Sequence, residues 1–301
     1  MLLETHVCLN RFTVLLLCAL LSAIAVTDQV AADTHVIARI NHTGLTRPSG
    51  MAIDPSGIMF VEDGGGRFVW TLSKSDATVL QTYPLNATRF GARGLAHNAV
   101  TDEWFDSSRF SNDFLQRLDL QTGTVTNVGP TDPGLGFFNF LDLDVDPSGA
   151  MWLLSDRNGG SIWSVNQQTG AASLHRNLTG FHVTPVGTEY PVALAIDNAG
   201  QFFVASNGPS IQETTSFYSV DLASGLVTRL TSTSLTAPSY VVAFDQDPAT
   251  GNWFAIEQRT SVSPAEWYLR GVTSVPEPSF GLFAFIAICR GLFRVRFLRQ
   301  V

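Results

Sequence analysis

Oxygen donors that recur at one place in a repeated unit are the feature of this sequence best suited to chemistry. Glu62 and Asp63, Asp106, Asp156, Asn207 and Glu257 each stand where a short apolar run ends. In a closed ring of such units they would gather on one face. Carboxylate and amide oxygens grouped in that way suit a hard divalent cation such as calcium, or the hydroxyls of a sugar. Loops on the same face would also carry Arg47, Arg93, Tyr190 and Tyr240. Turns use Asp, Asn and Gly for their own reasons, so a plain turn role stands beside the functional one. A second acidic group, Asp142, Asp144 and Asp146, puts three carboxylates on one strand face by the two-residue period. It lacks the spacing of a calcium loop. Asp146 therefore reads as a turn residue, and Asp142 and Asp144 as solvated neighbours.

Five copies of one unit would position these residues. Leu143 to Trp152 (LDVDPSGAMW) reads as a short strand, a turn on Asp146-Pro147-Ser148-Gly149 and a second strand. Met51 to Phe60 repeats the turn, Leu194 to Phe203 keeps Asp197 and Gly200, Val242 to Phe254 lengthens the turn, and Leu95 to Phe105 is the most degenerate copy. Asp54 and Asp146 lie 92 residues apart and Asp146 and Asp197 51 apart, which suits propeller blades of about 40 to 50 residues. A second hairpin follows each of the first four copies, at Phe68 to Leu80, Leu115 to Val128, Ile162 to His175 and Phe217 to Leu230. The fifth has a third strand at Trp267 to Val272 and then runs out, whereas His35 to Ile40 alternates like an outer strand with no blade of its own. The expectation is an all-β propeller of five blades closed by that N-terminal strand, which removes open sheet edges.

Between Asp33 and Val275 there are 13 Arg and Lys against 23 Asp and Glu, a net −10. Such a surface repels phosphate backbones, which argues against nucleic acid as a partner. The three cysteines, Cys8, Cys18 and Cys289, all lie near the ends, so a disulfide framework, a Cys-ligated zinc and a thiol nucleophile are excluded from the repeats. HExxH, GxSxG, Walker and CxxC motifs are absent. His97, His175 and His182 are scattered without metal-ligand spacing. Trp104, Trp152 and Trp253 recur just after the first turn, which reads as packing between blades more readily than as a carbohydrate platform.

The two ends read as addresses, giving a signal peptide at 1–32, a propeller at 33–274 and a sorting segment at 275–301. Arg11 precedes the apolar run Phe12 to Val26, and small residues place cleavage after Ala25 or Ala32. At the other end Pro276-Glu277-Pro278-Ser279 is followed by Phe280 to Ile288 and then Arg290, Arg294, Arg296 and Arg299. Prolines block regular structure, the apolar stretch with Gly291-Leu292-Phe293 can enter a bilayer as a membrane helix, and the arginines stay on the cytoplasmic side. This order of features resembles the PEP-CTERM sorting signal of exported bacterial proteins. The resemblance covers about the last 27 residues. It implies recognition at Pro276, Glu277 and Pro278 by an exosortase-type membrane protease, with Arg290, Arg294, Arg296 and Arg299 as the basic stop. It also implies transient anchoring in the inner membrane and a final place in the periplasm, on the outer surface or outside the cell. A bacterial origin would leave the sequons at Asn41, Asn86 and Asn177 unused. The repeats resemble, in fold pattern alone, propellers of the gluconolactonase and strictosidine-synthase type, which implies a metal at the channel mouth for ester hydrolysis. Two functions follow as expectations. The first is a binding or scaffold protein of the envelope or matrix, engaging polysaccharide or surface proteins. The alternative is a metal-dependent hydrolase acting at the channel mouth.

Overall fold

Each first turn is capped by the residue that opens it. In a computed structural model, described for residues 33–42, 44–45, 47–86, 92–108, 114–131, 140–184, 187–208, 215–233, 239–260 and 265–273, Asp54 Oδ1 accepts the N–H of Ile58 at 2.8 Å and the hydroxyl of Ser56 at 2.7 Å. Asp146 Oδ1 does the same for Ala150 and Ser148, and its Oδ2 accepts the indole N–H of Trp152 at 3.0 Å. Asp197 and Asp247 cap their turns likewise. The degenerate copy uses Asn98, whose side-chain oxygen accepts the N–H of Val100 at 2.9 Å. Its left-handed position is taken by Asp102 at φ +57°, where the other four blades have glycine. Short polar side chains tolerate that region best after glycine.

From these turns the chain builds five antiparallel four-stranded sheets. Strand β1 (Asp33–Arg39) comes first, then blade 1 with β2 (Pro48–Ile53), β3 (Met59–Asp63), β4 (Phe68–Leu72) and β5 (Val79–Pro84). Blade 2 holds β6 (Ala92–Asn98), β7 (Glu103–Ser108), β8 (Phe114–Asp119) and β9 (Thr124–Pro130). Blade 3 holds β10 (Phe140–Val145), β11 (Met151–Ser155), β12 (Ser161–Val165) and β13 (Ala172–Asn177). A small hairpin, β14 (Val183–Thr184) with β15 (Gly187–Thr188), precedes blade 4, which is β16 (Tyr190–Ile196), β17 (Phe202–Asn207), β18 (Thr215–Asp221) and β19 (Leu226–Thr233). Blade 5 has β20 (Ser239–Gln246), β21 (Trp253–Arg259) and β22 (Glu266–Thr273), and β1 completes it as the outermost strand, from Asp33 opposite Thr273 to Arg39 opposite Tyr268. The first strands β2, β6, β10, β16 and β20 neighbour one another in a closed circuit. The protein is thus a five-bladed β-propeller closed by its N-terminal strand, as the repeats lead one to expect.

The core is divided among the five seams between blades. Met51, Val61 and Trp70 of blade 1 pack with Phe254, Ile256 and Leu269 of blade 5, and each other seam has a cluster of its own. The repeated tryptophans span seams. Trp104 meets Phe60 at 4.2 Å between ring centroids, Trp152 meets Phe202 at 5.1 Å and Trp253 meets Phe203 at 4.7 Å, contacts worth about 0.5–1.5 kcal/mol each beyond burial.

No helix among the described residues is long and apolar enough to cross a membrane. The expected signal and sorting segments, with Pro276, Glu277, Pro278, Arg290, Arg294, Arg296 and Arg299, lie outside the described residues.

Candidate functional site

Small residues let the inner strands close on the axis. Counted back from the turn residue, the fourth place holds Gly50, Gly94, Asp142, Ala193 and Ala243, and the second holds Ala52, Ala96, Asp144, Ala195 and Asp245. A Cβ on Gly94, which sits at φ +82°, would lie 2.5 Å from Leu143 N and 2.8 Å from the Cα of Asp142. One on Gly50 would lie 2.7 Å from Leu95 N. No larger side chain fits between those strands.

The three aspartates do the opposite and reach across their seams. Asp142 Oδ2 accepts the N–H of Leu194 at 2.9 Å and Asp144 Oδ2 that of Ile196 at 2.6 Å, joining blade 3 to blade 4. Asp245 Oδ2 accepts the N–H of Ile53 at 2.6 Å, joining blade 5 to blade 1. The other oxygen of each accepts the next N–H of its own strand. This corrects the expectation that Asp142 and Asp144 are solvated: Asp142 is 4 % exposed, and both serve as clasps. Burial pushes Asp142 well above the ordinary carboxylate range, with the charges of Asp144 and Glu62 adding to it against the N–H donors. Burial likewise raises Asp144, to about 7, and raises Asp245, where the charge of Asp144 is the next cause. The signal was present in sequence, since Asp144-x-Asp146 and Asp245-x-Asp247 repeat one spacing from the turn.

Above the clasps every first strand carries a bulge at the fifth place before its turn residue, with register shifts at Pro48/Gly50, Ala92/Leu95, Phe140/Asp142, Pro191/Ala193 and Val241/Ala243. A bulge re-aims its side chain. The bulged residues Ser49, Arg93, Leu141, Val192 and Val242 all line a cavity of about 680 Å³ at the channel mouth. Two places further out, Arg47, Tyr190 and Tyr240 line it as well. Their partners on the second strands, Gly64, Asn207 and Gln258, complete that level together with Asp156.

The expected ring of oxygen donors therefore assembles only in part. Asp156 and Asn207 reach the cavity. Asn207 Oδ1 already accepts the N–H of Val241 at 3.1 Å and the hydroxyl of Thr215 at 3.0 Å. Asp63 lies one level deeper and accepts the backbone N–H of Arg47 at 3.0 Å; burial raises its carboxyl, and the N–H groups of Arg47 and Gly65 offset this in part. Glu257 shares that level but is spent on Arg270 Nε at 2.5 Å and Arg259 Nε at 3.1 Å. Burial works to raise it, and the hydrogen bond and charge of Arg270 outweigh this and hold it below the ordinary range. Glu62 and Asp106 are fully buried, opposite Gly50 and Leu95. The turns of blades 2 and 5 are one residue longer, closing from Asn98 to Asp102 and Asp247 to Gly251 instead of over three residues as from Asp54 to Gly57. Counting along second strands from those turns drifts by one.

Among the described residues no group of three or more His, Cys, Asp or Glu side chains is arranged to hold a metal ion. Asp156 is the one carboxylate in the described lining, beside the amides of Asn207 and Gln258. Burial raises the phenols of Tyr190 and Tyr240 above their ordinary value, so both are neutral hydrogen-bond donors.

Fold and cavity together define a five-bladed propeller with a polar, partly aromatic mouth. No protein-family model matches the chain, and no curated protein does. Solved structures are similar to the chain at low identity. An endo-arabinase from Bacteroides thetaiotaomicron is 9 % identical with a TM-score of 0.52, covering 81 % of this chain and 99 % of its own. A gluconolactonase from Xanthomonas campestris is 16 % identical with a TM-score of 0.48, covering 82 % and 87 %. The PQQ-bound aldose sugar dehydrogenase from Streptomyces coelicolor is 13 % identical with a TM-score of 0.45, covering 79 % and 85 %.

Proposed function

We propose that the chain is an exported binding protein that takes a saccharide into its mouth cavity. The observation behind this reading is the lining. Tyr190 and Tyr240 offer apolar faces with a polar edge, and Gln258, Arg47 and Arg93 offer donors in a concavity of about 680 Å³. Sugar recognition uses that mixture of ring faces and fixed polar groups. Export and sorting belong to the same proposal: a signal at 1–32, and an exosortase-type enzyme acting at Pro276, Glu277 and Pro278 while Arg290, Arg294, Arg296 and Arg299 hold the tail inside. Envelope or matrix polysaccharide, or surface proteins that carry it, are the partners this reading implies.

A second reading, hydrolysis of a sugar lactone or ester at the same mouth, draws on one observation. Asp156 sets a carboxylate in the cavity lining, a position from which it would activate water as a general base. Calorimetric titration of the full-length protein with neutral and acidic oligosaccharides, run beside a sugar-lactone hydrolysis assay, tests both. Saturable binding without turnover is the expected result. Turnover abolished by Asp156→Asn would replace it with the hydrolase, and neither binding nor turnover would reject both.

A further inference from the structure

We propose, resting on the saccharide reading above, that the mouth selects a sugar bearing a carboxylate, such as a uronate. The charge of the described lining runs against that of the domain. Across Asp33 to Val275 acids outnumber bases 23 to 13, yet the described lining has two arginines and one carboxylate. An acidic domain repels anions at long range, so the two arginines of the described lining would act on an anion only locally.

Arg47 carries the argument furthest. Five other described arginines, Arg39, Arg117, Arg229, Arg259 and Arg270, sit in ion pairs with glutamates. Arg47 makes no ion pair among the described residues. The nearby carboxylate of Asp63 accepts its backbone N–H and feels its charge, while the residue lines the cavity. Arg93 joins it from the bulge of β6. The phenol of Tyr240 feels the charges of Arg47 and Arg93 and the phenol of Tyr190, and all four residues line the same cavity. Guanidinium forks match a carboxylate in two parallel hydrogen bonds, and the tyrosine rings beside them offer a sugar face its stacking partner. A phosphate would bring a second negative charge toward Asp156 and the acidic domain, whereas a carboxylate brings one.

Trigalacturonate and galactotriose, titrated into the full-length protein, separate this proposal from the one it rests on. Trigalacturonate should bind at least tenfold more tightly. Arg47→Gln should cost trigalacturonate about tenfold in affinity and narrow its lead over galactotriose, and Arg93→Gln should narrow that lead in the same direction. Equal affinity for the two sugars would overturn the carboxylate proposal and leave the saccharide reading intact. Binding of neither would overturn both. Displacement of trigalacturonate by equimolar inorganic phosphate would mark a site for free anions and overturn it as well.

Discussion

The two ends of the channel are built from similar residue types to different purposes. At the turn end all five blades present an acid or amide at one place, Asp54, Asn98, Asp146, Asp197 and Asp247, and each spends its oxygen on N–H groups of its own turn. At the mouth no described level is uniform. The bulges aim a serine, an arginine, a leucine and two valines, and the next level holds Arg47, Tyr190 and Tyr240. Equal spacing of the bulges gives all five side chains the same outlook, so only their chemistry differs. What the blades share builds the ring; what they do not share makes the cavity.

That contrast can be broken from the middle, where both ends depend on the same inner strands. Gly94→Ala forces a Cβ against Leu143 N at a left-handed backbone position, combining strain of about 1–2 kcal/mol with overpacking of about 1–3 kcal/mol. Chemical denaturation should show a loss of about 3 kcal/mol or more, with the whole ring unfolding in one transition. A second, smaller effect follows from the clasps. The folded pKa of Asp144 lies near 7, above the ordinary 3.8. The native state therefore holds the proton more tightly than the unfolded chain. Its contribution to stability is full below the ordinary value, is lost as pH rises through about 7, and is flat above. Urea midpoints should fall across that window, and Asp144→Asn should flatten the fall.

Much of this architecture was legible in sequence because it is repeated. The Asp-Pro-Ser-Gly turns marked the first hairpins, period-two alternation marked the strands, and the orphan strand at His35 to Ile40 marked the closure now seen as β1 on β22. Arg47, Arg93, Tyr190 and Tyr240 fell on one face because loops alternate between two ends in an up-and-down blade. Glu62, Asp106 and Glu257 were grouped with them by strand ends. Extra residues in the turns of blades 2 and 5, and the bulges in the first strands, shift the true levels without leaving a mark in hydropathy. Asp142 and Asp144 looked like a solvated face because a strand pattern shows which side a residue points to. It does not show that a neighbouring blade offers bare N–H groups there.

The comparison of the two ends is tested most directly by measuring oligosaccharide affinity and melting temperature together for Tyr240→Ala and Asp146→Ala. Tyr240→Ala should lose about tenfold or more in affinity with little change in stability, through the lost ring face. Asp146→Ala should lose about 1–2 kcal/mol of stability, through the N–H groups of Ser148 and Ala150 and the indole it leaves uncapped, and keep its affinity. Affinity lost in Asp146→Ala and kept in Tyr240→Ala would place recognition at the turn end and contradict this account.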